Sequence, residues 1–260
     1  MASRQRPARR HGALPVARTD WAYFLDVDGS LIEIAESPDA VQVDEALPKL
    51  IAALHSACDG ALALISGRTL VDLDLRLGCG NIPLAGQHGL EWRDATGRRR
   101  SHSASAGAIR QLRQQLELLV GRHPGLLLEN KGLSVALHYR QAPRLASWLH
   151  RLLTGWVAQR SDLQLQKGKR VLEIKPAGFD KGTVITEFMA EAPFCGRIPV
   201  FIGDDVTDEC GFIPVNSVGG YSIKVGPGRT AARYRLHDVA AVRQWLTGAL
   251  SIPVNISGSG

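Results

Sequence analysis

The chain has 260 residues, 45% of them hydrophobic and 22% charged, enough apolar material to bury a sizeable core in one large domain or two small ones. No apolar run approaches the roughly 20 residues that span a bilayer, and the start of the chain lacks the apolar stretch of a secretory signal, which argues against a membrane-spanning or exported protein. The four cysteines (Cys58, Cys79, Cys195, Cys210) are widely spaced without a CxxC pair, so neither a disulfide framework nor a zinc site is suggested, and a reducing, cytoplasmic setting fits. Of the net charge of +6, the first 20 residues supply +4 through Arg4, Arg6, Arg9, Arg10 and Arg18 against Asp20. The remainder has no stripe of basic and aromatic residues, so no nucleic-acid partner is expected. Residues 1–19 read as a disordered basic tail.

From residue 21 the pattern is regular. WAYFLD is a short apolar run ending at Asp26 in the polar DVDGSL, a strand feeding a loop. Residues 45–58 place Leu47, Leu50, Ile51 and Leu54 at helical spacing, and residues 61–65 (ALALI) form a second buried-strand candidate running into SGR. Strand, helix, strand implies a parallel unit. The middle differs. Residues 108–119 make an amphipathic helix, LLLEN and LSVALHY read as strands around Lys131 and Gly132, a helix covers 143–158, and strands follow at 162–166 and 171–175. Beyond them, helices at 180–190 and 206–213 alternate with strands IPVFI (198–202) and YSIKV (221–225). The expected fold is therefore α/β. A doubly wound, mostly parallel Rossmann-like core sheet (20–100 and 178–260) carries a smaller inserted α+β cap (101–177), with hinges near Gly97 and near residues 176–178. Residues 256–260 read as a flexible end.

In an open parallel sheet, ligands bind beyond the carboxyl ends of the strands. The strand endings carry Asp26 and Asp28 (FLDVDGS), Ser66 and Arg68 (LISGR), and Asp204, Asp205 and Asp208 (FIGDDVTDE), to which Lys181 is added at a helix start in GFDKG. Carboxylates so close repel one another, and a hard divalent cation, Mg²⁺, is the natural remedy. Such a site suits a phosphate. Asp26, first beyond its strand, is the candidate nucleophile, and Asp28, two residues on, the candidate general acid and then base.

These four motifs, in this order, resemble the signatures of the haloacid dehalogenase superfamily of phosphatases, with Ser30 where the family uses Thr. AGQHGLEWR (His88), LENKGLSVALHYR (Glu129, Lys131, Arg140) and LEIKPAGFDKG (Glu173, Lys181) extend the likeness over about residues 20–250 to the trehalose-6-phosphate phosphatases. That resemblance implies an inserted lobe closing over the core, with Glu129, Lys131 and Glu173 holding sugar hydroxyls and Arg68, His88 and Arg140 contributing to substrate binding. It implies Mg²⁺ on Asp26, the backbone carbonyl of Asp28 and Asp204, supported by Asp205 and Asp208, with Gly29 and Gly67 shaping the loops. The phosphate would lie between the metal, Ser66 and Lys181. The expected partner is a small-molecule sugar phosphate, met by a monomer.

Plainer readings stand beside these. Asp208 can serve only to cap the following helix, Arg68 only to pair with a nearby acid, His88 only as a buried hydrogen-bonded histidine, and Glu129 with Lys131 as a solvated hairpin-tip pair. Alternatives for the whole are a capped phosphatase for another sugar phosphate such as sucrose-6-phosphate, and a non-catalytic phosphosugar sensor or RNA-associated protein using the tail.

Overall fold

The computed structural model describes residues 13–34, 41, 43–78, 80–103, 105–168 and 170–251. The first parallel unit runs from β1 (Ala22–Asp26) through α1 (Ala46–Ala57) to β2 (Leu62–Ile65). Both strands are buried at every residue, as central strands covered on both faces must be. Helix α1 turns Leu47, Ile51 and Leu54 into the core. Helix α2 (Leu70–Leu77) starts where Thr69 Oγ1 accepts from the Asp72 N–H and stops at Gly78, whose φ of 61° suits glycine. β3 (Leu84–Gly86) is parallel to β2, and β4 (Glu91–Arg93) and β5 (Arg99–Ser101) add antiparallel strands at that edge.

The chain then builds a separate unit: α3 (Ala106–Arg122), β6 (Leu127–Asn130), β7 (Val135–His138), α4 (Ala146–Ala158), β8 (Leu163–Gly168) and β9 (Val171–Pro176). Its four strands form an antiparallel sheet in the order β6-β7-β9-β8. Leu137, Leu172, Val135, Ile174 and Leu163 pack with Leu112, Leu116, Leu149 and Leu153 of α3 and α4 into a core of their own. The main sheet resumes through α5 (Lys181–Met189), β10 (Pro199–Gly203), α6 (Glu209–Ser217), β11 (Tyr221–Val225), β12 (Tyr234–Leu236) and α7 (Val239–Leu250). Its order is β12-β11-β10-β1-β2-β3-β4-β5, parallel from β12 to β3. The architecture is thus α/β, a mostly parallel sheet with a smaller α+β insertion. Among the described residues, no helix is long and apolar enough to cross a membrane.

Three expectations change. Gly97 is not a hinge: it lies in the turn between β4 and β5 with φ 84°, and the chain leaves the main sheet only after Ser101. Of the expected tail, residues 1–12 lie outside the described residues, but 13–19 are not a free tail. Ala17 is buried, Leu14 packs on the main core, and the Trp245 indole donates to the Pro15 carbonyl at 2.9 Å. Apolar side chains with a core to cover outweigh the neighbouring arginines. The helix expected at 206–213 also shifts, since residues 206–208 form a single 3-10 turn before α6. The flexible end expected at 256–260 and Cys79 lie outside the described residues, while Cys58, Cys195 and Cys210 are free thiols.

Because the two units keep separate cores, Leu137→Ala, which empties a fully buried position in the smaller one, is expected to cost about 2–5 kcal/mol. Amide hydrogen exchange should accelerate in β6–β9 and not in β1 and β10. Equal acceleration in both sheets would mean that they unfold as one.

Candidate active site

Parallel pairing brings the predicted motifs to one edge of the main sheet. Asp26 is level with Ile65 of β2, and Leu25 with Ile202 of β10, so Asp26, Ser66 and Asp204 emerge side by side. Lys181 is the first residue of α5, set there by Asp180, whose carboxylate accepts from the Thr183 N–H at 2.9 Å while Thr183 Oγ1 accepts from the Asp180 N–H at 3.0 Å.

The Lys181 ammonium is buried between Asp26 Oδ1 and Asp208 Oδ1, 2.6 Å from each. Burial alone would lower its pKa, but the two carboxylates raise it, so it stays charged. Asp26 also accepts from Ser30 Oγ at 3.0 Å. Asp208 accepts from the Asp205 N–H at 2.8 Å through its other oxygen. Carboxylate oxygens of Asp26, Asp204 and Asp208 lie within 4.8 Å of one another. Burial, and then the charge of Asp208, push Asp26 far above the usual carboxylate range and Asp204 to about 6. Three acids on one ammonium leave surplus negative charge, which fits a hard divalent cation. Asp204 is held by Lys224, which donates to its backbone carbonyl, and a Cβ on Gly29 would strike its carboxylate at 2.2 Å.

The Asp28 carboxylate is engaged elsewhere. Arg68 grips it with two bonds of 2.7 Å and reaches Asp72 at 2.7 Å, the plainer reading of Arg68. Asp205 has an exposed side chain outside the acidic cluster and contributes its backbone N–H. Asp208 does more than cap a helix, because it holds Lys181.

The smaller sheet shows this edge a polar face. Strand pairing aligns Glu129, Ala136, Glu173 and Gln166 in one row and Ser134, Lys175 and Gln164 in the neighbouring positions of the same face. Lys131 is no solvated tip: its ammonium donates to the Gly67 carbonyl at 3.1 Å and lies 3.5 Å from Glu173. Ser134 Oγ is 2.6 Å from Glu173 and 3.1 Å from Gln87 Oε1. Glu129 is paired with His138 at 2.8 Å, which lowers its pKa despite burial. His88 stands at φ 58°, its Nε2 3.7 Å from Glu173. Burial, and then Lys181, Lys175 and Lys131, hold it neutral. Arg140 sits on the exposed turn after β7.

The family model described as Trehalose-phosphatase matches residues 24–240. The chain belongs to the trehalose-phosphatase family. It is 45% identical over 232 residues to the trehalose-6-phosphate phosphatase of Escherichia coli strain K12, covering 89% of this chain and 87% of that protein. It is 43% identical over 218 residues to a probable trehalose-phosphate phosphatase of Sinorhizobium fredii, covering 83% and 81%. A solved trehalose-6-phosphate phosphatase related protein superposes with a TM-score of 0.72 at 26% identity, covering 88% of this chain and 96% of that one. Four polar residues of this trehalose-phosphatase chain went unread in its sequence: Ser134, Gln164 and Gln166 on the smaller sheet and Lys224 behind Asp204. The alternation of LQLQ at 163–166 was the available signal for the glutamines.

The surplus charge yields a measurement. A raised carboxylate pKa contributes stability that is fully present below its usual 3.8 and lost as pH climbs through about 6 for Asp204. A divalent cation needs the ionised acids and restores that loss. Mg²⁺ at about 100 times its Kd should raise Tm by on the order of 5 °C at pH 7.5 and by less than half as much at pH 5. A shift independent of pH, or none, would remove the acidic cluster as its site.

Proposed function

We propose that this enzyme hydrolyses trehalose 6-phosphate to trehalose and inorganic phosphate in the cytoplasm, with Mg²⁺ and through an aspartyl-phosphate on Asp26. The observation that carries the reading is the Asp26–Lys181–Asp208 ion pair lying under a lobe whose Lys131 and Glu173 reach the same edge. The 45% identity to the Escherichia coli enzyme supports the substrate. Free thiols suit the compartment.

Asp26, Asp204 and the backbone carbonyl of Asp28 would hold the cation, with Asp208 beside them holding Lys181 and the Asp205 N–H. When bound, Mg²⁺ offsets the charge of the carboxylates and of the phosphoryl oxygens. Lys181 and Ser66 flank the phosphoryl group, the ammonium opposing the charge that spreads over its oxygens. Asp26 attacks phosphorus in line, forming the O–P bond as the bond to the sugar oxygen breaks. Asp28, protonated and released from Arg68, hands its proton to the departing oxygen. The resulting carboxylate then takes a proton from water, which attacks phosphorus and frees Asp26. Glu129, Lys131 and Glu173 hold the sugar hydroxyls, carboxylates accepting and the ammonium donating, with Arg68, His88 and Arg140 beside them. Residues 101–177 act as a cap that excludes bulk water and aligns the disaccharide.

The test is phosphate release, with Mg²⁺ and with chelator, from trehalose 6-phosphate, sucrose 6-phosphate, glucose 6-phosphate and an aryl phosphate. Selective, metal-dependent turnover of the first is expected. Preference for another sugar phosphate would keep the chemistry and discard the substrate. Asp26→Asn should lower kcat by at least on the order of 10³-fold on every substrate. Glu129→Ala should cost about 10- to 100-fold in kcat/KM on trehalose 6-phosphate, the loss of a charged hydrogen bond, and much less on the aryl phosphate. Equal losses on both would sink its role in holding sugar.

A further inference from the structure

We propose that His102 and Phe179 are positioning residues whose stacked rings clasp both linkers to the main sheet, so that movement of the smaller unit is taken up at residues 103–104 and Gly178 and does not reach Lys181. Its kinetic consequence rests on the phosphatase reading above, whereas the clasp rests on contacts alone.

The chain crosses between the two units twice, after β5 and before α5. His102 follows β5 directly, and Phe179 stands two residues before Lys181. Their rings stack with centroids 3.7 Å apart and planes 15° from parallel. The His102 ring also lies 4.8 Å from that of Trp92, a member of the main core. Aromatic contacts favour defined distances and angles, so they fix where a linker lies. The His102 N–H donates to the Leu90 carbonyl at 2.9 Å, and its Nε2 stands 3.6 Å from Glu187 Oε1 on α5. Phe179 leads straight into Asp180, whose carboxylate caps α5. The clasp therefore belongs to the main sheet and to α5.

A few atoms further on, both linkers are tied to the smaller unit instead. Ser105 Oγ donates to the Asp162 carbonyl at 3.2 Å, and the Ala177 N–H donates to the same carbonyl at 2.9 Å. Asp162 immediately precedes β8. Between this tie and the clasp, one linker has residues 103 and 104 and the other Gly178 alone. Gly178 is exposed at φ 85°, a conformation that suits glycine, and a Cβ there would meet nothing within 4 Å. Rotation at this point breaks few contacts. One bond spans it, from Gln164 Nε2 to the Phe179 carbonyl, and at 3.4 Å it is long and parts readily.

The position of Lys181 explains why a clasp is needed. Its ammonium is buried 2.6 Å from both Asp26 and Asp208, yet only Phe179 and Asp180 separate it from Gly178. Unclasped, each swing of the smaller unit would pull on the first turn of α5 and draw the ammonium off its acids. Small misplacements of a catalytic group lower turnover steeply.

The test uses the full chain with Mg²⁺. His102→Ala should lower kcat by about tenfold on both trehalose 6-phosphate and an aryl phosphate, with KM changed by less than about twofold, because Lys181 acts on the phosphoryl group that both share. His102→Phe, which keeps a stacking ring, should restore most of the rate. Amide exchange is measured in parallel: in His102→Ala the Thr183 and Val184 amides, both bonded to Asp180, should exchange at least about tenfold faster while β1 and β10 are unchanged. Phe179→Ala removes the other ring and should reproduce both effects. Unaltered kcat, unaltered exchange in α5, or equal acceleration throughout the main sheet would overturn the clasp. Failure of the wild type on every sugar phosphate would strike the functional reading, and the exchange measurement would still decide the clasp.

Discussion

The buried Lys181 ammonium between Asp26 and Asp208 is the constraint on which the site depends. Taking each charge out of water costs several kcal/mol, and removing one partner from such a cluster costs about 3–5 kcal/mol because the other is left uncompensated. The arrangement therefore exists only if the end of β1, the start of α5 and the turn after β10 all arrive together. They are 155 and 27 residues from one another along the chain. The parallel register supplies two of them, and the Asp180–Thr183 cap fixes the third. What remains unbalanced is the negative charge that Asp26, Asp204 and Asp208 together leave over one ammonium, with Asp204 steadied through its backbone by Lys224. Fold and electrostatics point the same way: the scaffold brings three acids to one ammonium and leaves a surplus negative charge that suits a cation.

The smaller sheet meets this edge on different terms. Each sheet has its own apolar cluster, while the contacts named between them are polar: Lys131 to the Gly67 carbonyl, Ser134 to Gln87, and Gln164 to the Phe179 carbonyl. Net worth per hydrogen bond of this kind is about 0.5–1.5 kcal/mol, because water substitutes readily. Polar joints hold the lobes in register at low cost of separation, as a site that must admit a hydrophilic sugar and release it requires.

Much of this was legible in the sequence because the physics is local. β1, β2 and β10 are uninterrupted apolar runs, β1 and β10 leading into acids and β2 into Ser66, and α1 and α3 announce themselves by spacing. The short strands β3, β4, β5 and β12, three residues each, do not show a period, and Gly97 between β4 and β5 reads as a hinge. Asp26, Ser66, Lys181 and Asp208 were found because motifs mark them. The partner chosen by Asp28 was not, since Arg68 lies 40 residues away and spacing does not say which acid it grips. Lys224 and Gln164 looked like ordinary strand residues, because only strand pairing reveals what stands opposite them.

The turn between β3 and β4, which reaches Ser134 of the smaller sheet, is itself under constraint. Gln87 and His88 both hold positive φ, 48° and 58°, which costs a residue with a side chain on the order of 1 kcal/mol or more. The turn is held by the Gln87 N–H on the Arg68 carbonyl at 2.7 Å and the His88 N–H on the Ser66 carbonyl at 2.9 Å. Its fit also demands Gly67, since a Cβ there would meet the His88 ring at 2.7 Å. The strained backbone thus lays His88 against the Ser66 loop and turns Gln87 up to Ser134 of the smaller sheet. One short turn couples the Ser66 loop to the smaller sheet, and that coupling is the physical return for holding two residues where glycine would sit more easily.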